Sequence, residues 1–233
     1  MKAPIVLAID TNNLQTAQKW IESTEDSVSV YKLGLEFFLT FGNEGVRAIQ
    51  SVTDADIFLD LKLHDIPHTV SGAAQAVGEL APNFLTVHAS GGRAMVSAAV
   101  AALPNTEVTA VTILTSLSEE DLFEIGFANR ALESAVALAT MSVSAGAKAI
   151  VCSPLEIKAV RSAVGISTTI ITPGVRPLSE MGTDDQKRTM TPRDAIDAGA
   201  SLVVIGRPIT GAWKDGSDAM REKARRIADE ILK

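Results

Sequence analysis

The chain has 233 residues, of which 46% are hydrophobic, so it can bury a sizeable core and general disorder is excluded. Its formal net charge is −7 with no run of Lys and Arg, which argues against nucleic acid or an anionic membrane as main partner. A local basic pocket for a small anion stays compatible with that balance. Cys152, the one cysteine, lies in the apolar run KAIVCS, so a disulfide framework is excluded and a reducing compartment is the natural fit.

In chain order, MKAPIVLAID comes first and is too short for a signal peptide, and no later run could span a bilayer. The expectation is a soluble, cytoplasmic protein. PIVLAI (4–9) reads as a strand ending at Asp10, followed by helical spacing over Leu14–Ile21. SVYKLGL (29–35) is a second strand, carrying Lys32, and Phe37–Ile49 a second helix. DIFLDLK (56–62) and Val70–Leu80 form the third pair, and NFLTVHA (83–89) brings His88. EVTAVTIL (107–114) runs to Thr115, and Ala131–Ala145 is an Ala-rich helix. KAIVCS (148–153), STTIITPG (167–174) and SLVVIG (201–206) complete the strands, with Arg176 and Arg207 just beyond the last two.

Strand then helix, repeated eight times, predicts parallel strands with crossover helices. Near-continuous apolar strands fit a sheet covered on both faces. Units of about 29 residues match a minimal (β/α)₈ barrel. An open doubly wound sheet is the alternative, weakened by the count of eight and by the lack of GxGxxG after the first strand. No composition break marks a boundary, so the expectation is a single-domain (β/α)₈ TIM barrel over 1–233.

Barrel enzymes work at the carboxyl ends of their strands, and there the polar residues gather: Asp10, Lys32, Asp60, Lys62, Asp65, His88, Thr115, Arg176, Gly206 and Arg207. In FLDLKLHDIPHTV (58–70), Asp60, Lys62 and Asp65 fall within six residues of a strand end. Alternation puts Asp60 and Lys62 on one face and Leu61 and Leu63 on the other. With the leucines toward the helices, the charges point into the barrel mouth, where Lys32 adds a second ammonium if its parity agrees. A lysine held between carboxylates keeps its proton and suits stabilising, then protonating, a carbanion. The competing reading is a structural ion-pair network with Asp65 capping the helix near Pro67.

VVIGRPIT places Gly206 and Arg207 where the eighth strand gives way to a helix, a setting for phosphate. An Arg that merely covers the barrel rim is the alternative. GVRPLSEMGTDDQKRTMTP (174–192) is long and polar for a loop of this kind, either a lid or a tolerated insertion. Arg176 and Gln186 are its side chains that could close over a phosphate.

Other candidates are weaker. His64 and His68 have a zinc-like spacing, but Pro67 breaks the helical register between them. His88 reads as a core or rim histidine and Cys152 as a small core residue. There is no GxSxG, P-loop or CxxC.

FLDLKLHDIPHT resembles the signature of the orotidine 5′-phosphate decarboxylase family, and LAID, KLGLEFF, VHASGG, VTILTS, VCSP, TPGVRP and VIGRPIT resemble it in the same order. The resemblance covers essentially the whole chain. It implies a (β/α)₈ homodimer with shared active sites that converts orotidine 5′-phosphate to uridine 5′-phosphate in pyrimidine synthesis, with no metal or organic cofactor. It also implies Lys62 as proton donor, Asp60 beside the departing carboxylate and Lys32 completing the array. Asp65 and Thr69 would come from the partner subunit. Asp10 and Lys32 would meet the ribose hydroxyls, and Thr115 the pyrimidine. Arg176, Gln186, Gly206 and Arg207 would hold the phosphate, with a lid loop at about 176–190. Spacing in that loop varies within the family, which bears on Gln186. Two rivals remain: a magnesium-dependent sister enzyme acting on sugar phosphates, and a silent phosphate-ligand binder. The first is disfavoured by DIPHT, Lys32 and GVRP, the second by the presence of the whole charge array.

Overall fold

The computed structural model describes residues 2–177 and 190–233. Among them, eight parallel strands pair in chain order and close β1 onto β8. The strands are β1 (Ala3–Ala8), β2 (Val28–Gly34), β3 (Asp56–Leu63) and β4 (Phe84–His88), then β5 (Glu107–Val111), β6 (Ala149–Val151), β7 (Thr169–Thr172) and β8 (Leu202–Ile205). The helices between them are α1 (Leu14–Thr24), α2 (Leu35–Gln50), α3 (Pro67–Gly78), α4 (Gly92–Ala102), α5 (Glu119–Glu124), α6 (Ala131–Ser144) and α7 (Ile157–Val164). They continue with α8 (Pro192–Asp197), the single turn α9 (Arg207–Thr210) and α10 (Ser217–Leu232). The closed barrel, rather than the open sheet, is the architecture.

Two apolar layers follow from strand alternation. Val6, Val30, Phe58, Phe84, Ala149 and Ile171 fill the barrel interior, where the rings of Phe58 and Phe84 tilt at 58° with centroids 5.6 Å apart. Their strand neighbours Ile5, Leu7, Leu33, Leu59 and Leu85 face outward and join Ile21, Phe37, Val70, Met95 and Ile227 from the helices. The strands are therefore largely apolar on both faces, as covered parallel strands require, with buried Thr86 and Thr109 at the centres of β4 and β5 as exceptions. At the plug's own level the inward Thr109 of β5 pairs with Ala149, and beyond the plug the inward side chains of β2 and β3 become charged.

The later strands stop earlier than their apolar runs. β7 ends at Thr172 because Pro173 and Gly174 follow, the latter at φ 78°, outside any strand conformation. α5 lies outside the sequence expectations, although Ser118 and Asp121 form a reciprocal capping box that starts it. Among the described residues, no helix is long and apolar enough to cross a membrane.

Glu156 closes the short turn after β6 and is buried there, accepting the Ser153 N–H at 2.9 Å. Burial pushes its carboxyl up, the Ser153 N–H opposes this, and the nearby Glu119 carboxylate adds to the rise, to about 7. A raised carboxyl pKa stabilises the fold below the unfolded value of 4.5, and that contribution is lost as pH rises through about 7. Glu156→Gln keeps the acceptor and removes the charge. In urea unfolding it should match the parent near pH 4 and exceed it near pH 8 by on the order of 3 kcal/mol. A difference independent of pH would show that Glu156 does not titrate in this range.

Candidate active site

Above the apolar plug, the inward positions of β1 to β4 turn from apolar to charged or polar. Phe58 is core, and the next inward residues along β3 are Asp60 and Lys62. Lys32 comes from β2, Asp10 follows β1, and Thr86 comes from β4. Leu61 and Leu63 pack in the outer layer against the helices, so the alternation expected from the sequence holds.

The charges interlock. Asp60 presents Oδ1 to Lys62 Nζ at 2.7 Å and Oδ2 to Lys32 Nζ at 3.2 Å. Lys32 Nζ also lies 3.8 Å from Asp10 Oδ1. Side-chain exposure rises outward, from 12% for Lys32 and 13% for Asp60 to 30% for Lys62 and 61% for Asp10, so the array is dry at its floor and open at its top. Burial alone would raise the Asp60 carboxyl; Lys32 and then Lys62 outweigh it and hold that carboxyl below its ordinary 3.8.

The strand is distorted where Lys62 leaves it. Between Leu59↔Leu85 and Leu63↔Val87, four steps along β3 pass only two along β4. Lys62 itself has φ 49°, uncommon for a residue with a Cβ. Its N–H is taken by Thr86 Oγ1 at 2.8 Å, and the same hydroxyl donates to Asp60 Oδ1 at 3.0 Å. Gly34 sits opposite Asp60 in the register, at the rim of the array. Its extended backbone (φ −88°, ψ −173°) does not demand glycine, but a Cβ there would come within 3.3 Å of Lys32 Nζ and 3.4 Å of Asp10 Oδ1. Thr86 and Gly34 were not singled out from the sequence. Thr86 shares the parity of His88 two residues on, which is the signal that could have found it.

The remaining candidates line the same end of the barrel. His88 is half-buried beside the array, its ring 5.3 Å from that of His64. Burial, then His64 and Lys62, hold its pKa below 6.5 against the pull of Asp60. Asp65 is exposed, accepts the adjacent Ile66 N–H at 2.6 Å, and makes no ion pair among the described residues. It does not cap α3, whose N-cap is Ile66 without a side-chain bond, so the capping reading of Asp65 fails. Thr69 is exposed on the first turn of α3, and Thr115 is exposed beyond β5. Gly206 precedes α9, and Arg207 is exposed at its start. Arg176 is half-buried, with its N–H bonded to Met190 O at 3.1 Å, and the Val175–Met190 bridge closes the base of the long loop. Gln186 lies outside the described residues, as does most of that loop.

Fold and site together define a (β/α)₈-barrel protein with a compensated Asp–Lys–Asp–Lys array at the carboxyl ends of its strands. The chain belongs to the orotidine 5′-phosphate decarboxylase / HUMPS family, whose sequence model matches residues 3–222. It is 50% identical over 219 residues to the orotidine 5′-phosphate decarboxylase of Thermobifida fusca, covering 94% of each chain. It is 43% identical to that of Rhodospirillum rubrum, covering 98% of this chain and 94% of the other. The crystal structure of orotidine 5′-phosphate decarboxylase from Lactobacillus acidophilus matches it with a TM-score of 0.82 at 32% identity, covering 98% of this chain and 100% of that one.

Proposed function

We propose that this chain decarboxylates orotidine 5′-phosphate to uridine 5′-phosphate, a step of pyrimidine biosynthesis, without metal or organic cofactor. The observation that carries the reading is Asp60 bonded to Lys32 and Lys62 at once, at the mouth of the barrel. Loss of carbon dioxide leaves an electron pair on a ring carbon that cannot delocalise it well. A fixed ammonium beside that carbon stabilises the pair as it develops. The Lys62 ammonium then transfers a proton to the carbon, and the amine left behind regains one from solvent. Asp60 neighbours the departing carboxylate and holds the two lysines apart from each other.

The rest of the mouth binds the substrate. Asp10 and Lys32 take the ribose hydroxyls and Thr115 the pyrimidine. Arg176, Gly206 and Arg207, with Gln186 from the loop at about 176–190 acting as a lid, grip the phosphate. Remote phosphate binding can hold the reactive geometry through lid closure. A cytoplasmic location is part of the proposal, supported by the lone buried thiol of Cys152.

We infer further that the active form is a homodimer in which Asp65 and Thr69 serve the partner's site. In support, Asp65 is exposed, and exposed apolar side chains cluster at the same end of the barrel: Leu35 at 48%, Leu39 at 79% and Ile66 at 65%.

Absorbance loss on adding orotidine 5′-phosphate tests the activity, and excess chelator separates it from the magnesium-dependent sister reading. Full turnover in chelator is expected; none without chelator, or loss on adding it, overturns the proposal. The shared site has its own test. Lys62→Ala and Asp65→Ala are each expected to be nearly inactive, yet a mixed dimer builds one site with both lesions and one with neither. Random exchange makes half the dimers mixed, so co-refolding should restore roughly a quarter of wild-type activity. With exchange confirmed by differently tagged chains, no recovery would mean that Asp65 serves its own subunit.

A further inference from the structure

One hydroxyl inside the barrel has both of its hydrogen bonds on the charge array. Thr86 is fully buried in the otherwise apolar start of β4, between Phe84 below it and His88 above. A strand interior gains nothing from a buried hydroxyl that valine would not supply, unless the hydroxyl is bonded. Its partners are the backbone N–H of Lys62 and the Oδ1 atom of Asp60. The polarity follows from chemistry alone. An N–H can only donate, and an ionised carboxylate can only accept, so the single hydroxyl proton is committed to Asp60.

Those bonds act where the sheet ceases to position Lys62. The β3–β4 register shifts between Leu59 and Leu63, and the Lys62 N–H goes to Thr86 Oγ1 in place of a ladder carbonyl. The residue it holds sits at φ 49°, a conformation that costs energy for any side chain bearing a Cβ and persists only where neighbours enforce it. Asp60 Oδ1 receives Thr86 Oγ1 at 3.0 Å and Lys62 Nζ at 2.7 Å, so the two donors meet on one oxygen. Backbone of the proton donor, hydroxyl, carboxylate and ammonium thereby form one closed loop of contacts. Loosening the hydroxyl frees the carboxylate and the lysine backbone together.

We infer that Thr86 is a positioning residue for proton delivery, fixing Lys62 and its counter-ion as a unit before substrate arrives. The inference rests on the decarboxylase reading and extends it to a residue that touches no substrate. Catalysis by preorganised charge depends on placement within fractions of an ångström, and a misplacement of about 1 Å can reduce a rate by about 100-fold. The phosphate and ribose contacts proposed above come from other residues, so ground-state binding should survive the loss of this hydroxyl.

The test compares Thr86→Val and Thr86→Ala, which lack the hydroxyl, with Thr86→Ser, which keeps it. For the two former, kcat on orotidine 5′-phosphate should fall by about 10- to 100-fold with KM nearly unchanged. Thr86→Ser should return to within a few-fold of wild type. A purely structural role would not produce that split and that rescue together. The inference is overturned if Thr86→Val keeps wild-type kcat, if the loss lies in KM alone, or if serine is as impaired as valine. It is equally overturned if neither hydroxyl-free variant folds while serine does, which would make the group a folding requirement. A wild-type protein without turnover in the same assay would instead sink the decarboxylase reading, and this inference with it.

Discussion

A carboxylate placed inside a barrel is unstable unless charge of the opposite sign comes with it. Asp60 is that carboxylate, and the two ammonium groups on its two oxygens are what keep it ionised at 13% exposure. Lys32 in turn needs the carboxylate, since it is equally buried. The charges of the array are therefore interdependent, and they constrain four strands at once. β1 must deliver Asp10, β2 must deliver Lys32 with Gly34 leaving room above it, β3 supplies Asp60 and Lys62, and β4 supplies Thr86.

The barrel meets these demands by separating stability from chemistry along its axis. The interior plug of Val6, Val30, Phe58, Phe84, Ala149 and Ile171 gives the site an apolar floor that excludes water from below. Low polarity beneath the array strengthens every electrostatic contact above it. Exposure increases outward from Lys32 and Asp60 to Lys62 and Asp10, so the site is shielded where charge must be fixed and open where a ligand enters. The distortion at Lys62 belongs to the same design. A regular strand would leave the Lys62 N–H on the sheet ladder, whereas the shifted register hands it to Thr86.

Most of the architecture was legible because its signals are periodic. Eight apolar runs separated by helical spacing sufficed for the closed barrel, and period-two alternation placed Asp60 and Lys62 inward. Strand ends were less legible, since Pro173 and Gly174 terminate β7 inside its apolar run. α5 escaped because a six-residue helix has too few turns to show a periodicity, although its capping box was written in the sequence. Thr86 escaped for a different reason. Alternation fixes which face a residue occupies but not which residue on the next strand it meets, and a register shift alters that partner without leaving a local mark. Asp65 was singled out from its place just past the β3 charges, whereas its role in a partner's site was implied only by resemblance to a family; among the described residues it makes no ion pair within its own chain.

The central claim is that Asp60 is held ionised by its two lysines despite burial. Carbon-13 NMR of aspartate-labelled protein, with the Asp60 signal assigned by Asp60→Asn, measures this directly. The account expects the carboxyl to titrate below its ordinary 3.8, and to move upward when Lys32 is replaced by methionine. A carboxyl that titrates above that value in the wild-type protein would contradict it, because burial would then outweigh both ammonium groups and the array would carry a proton where the account places a charge.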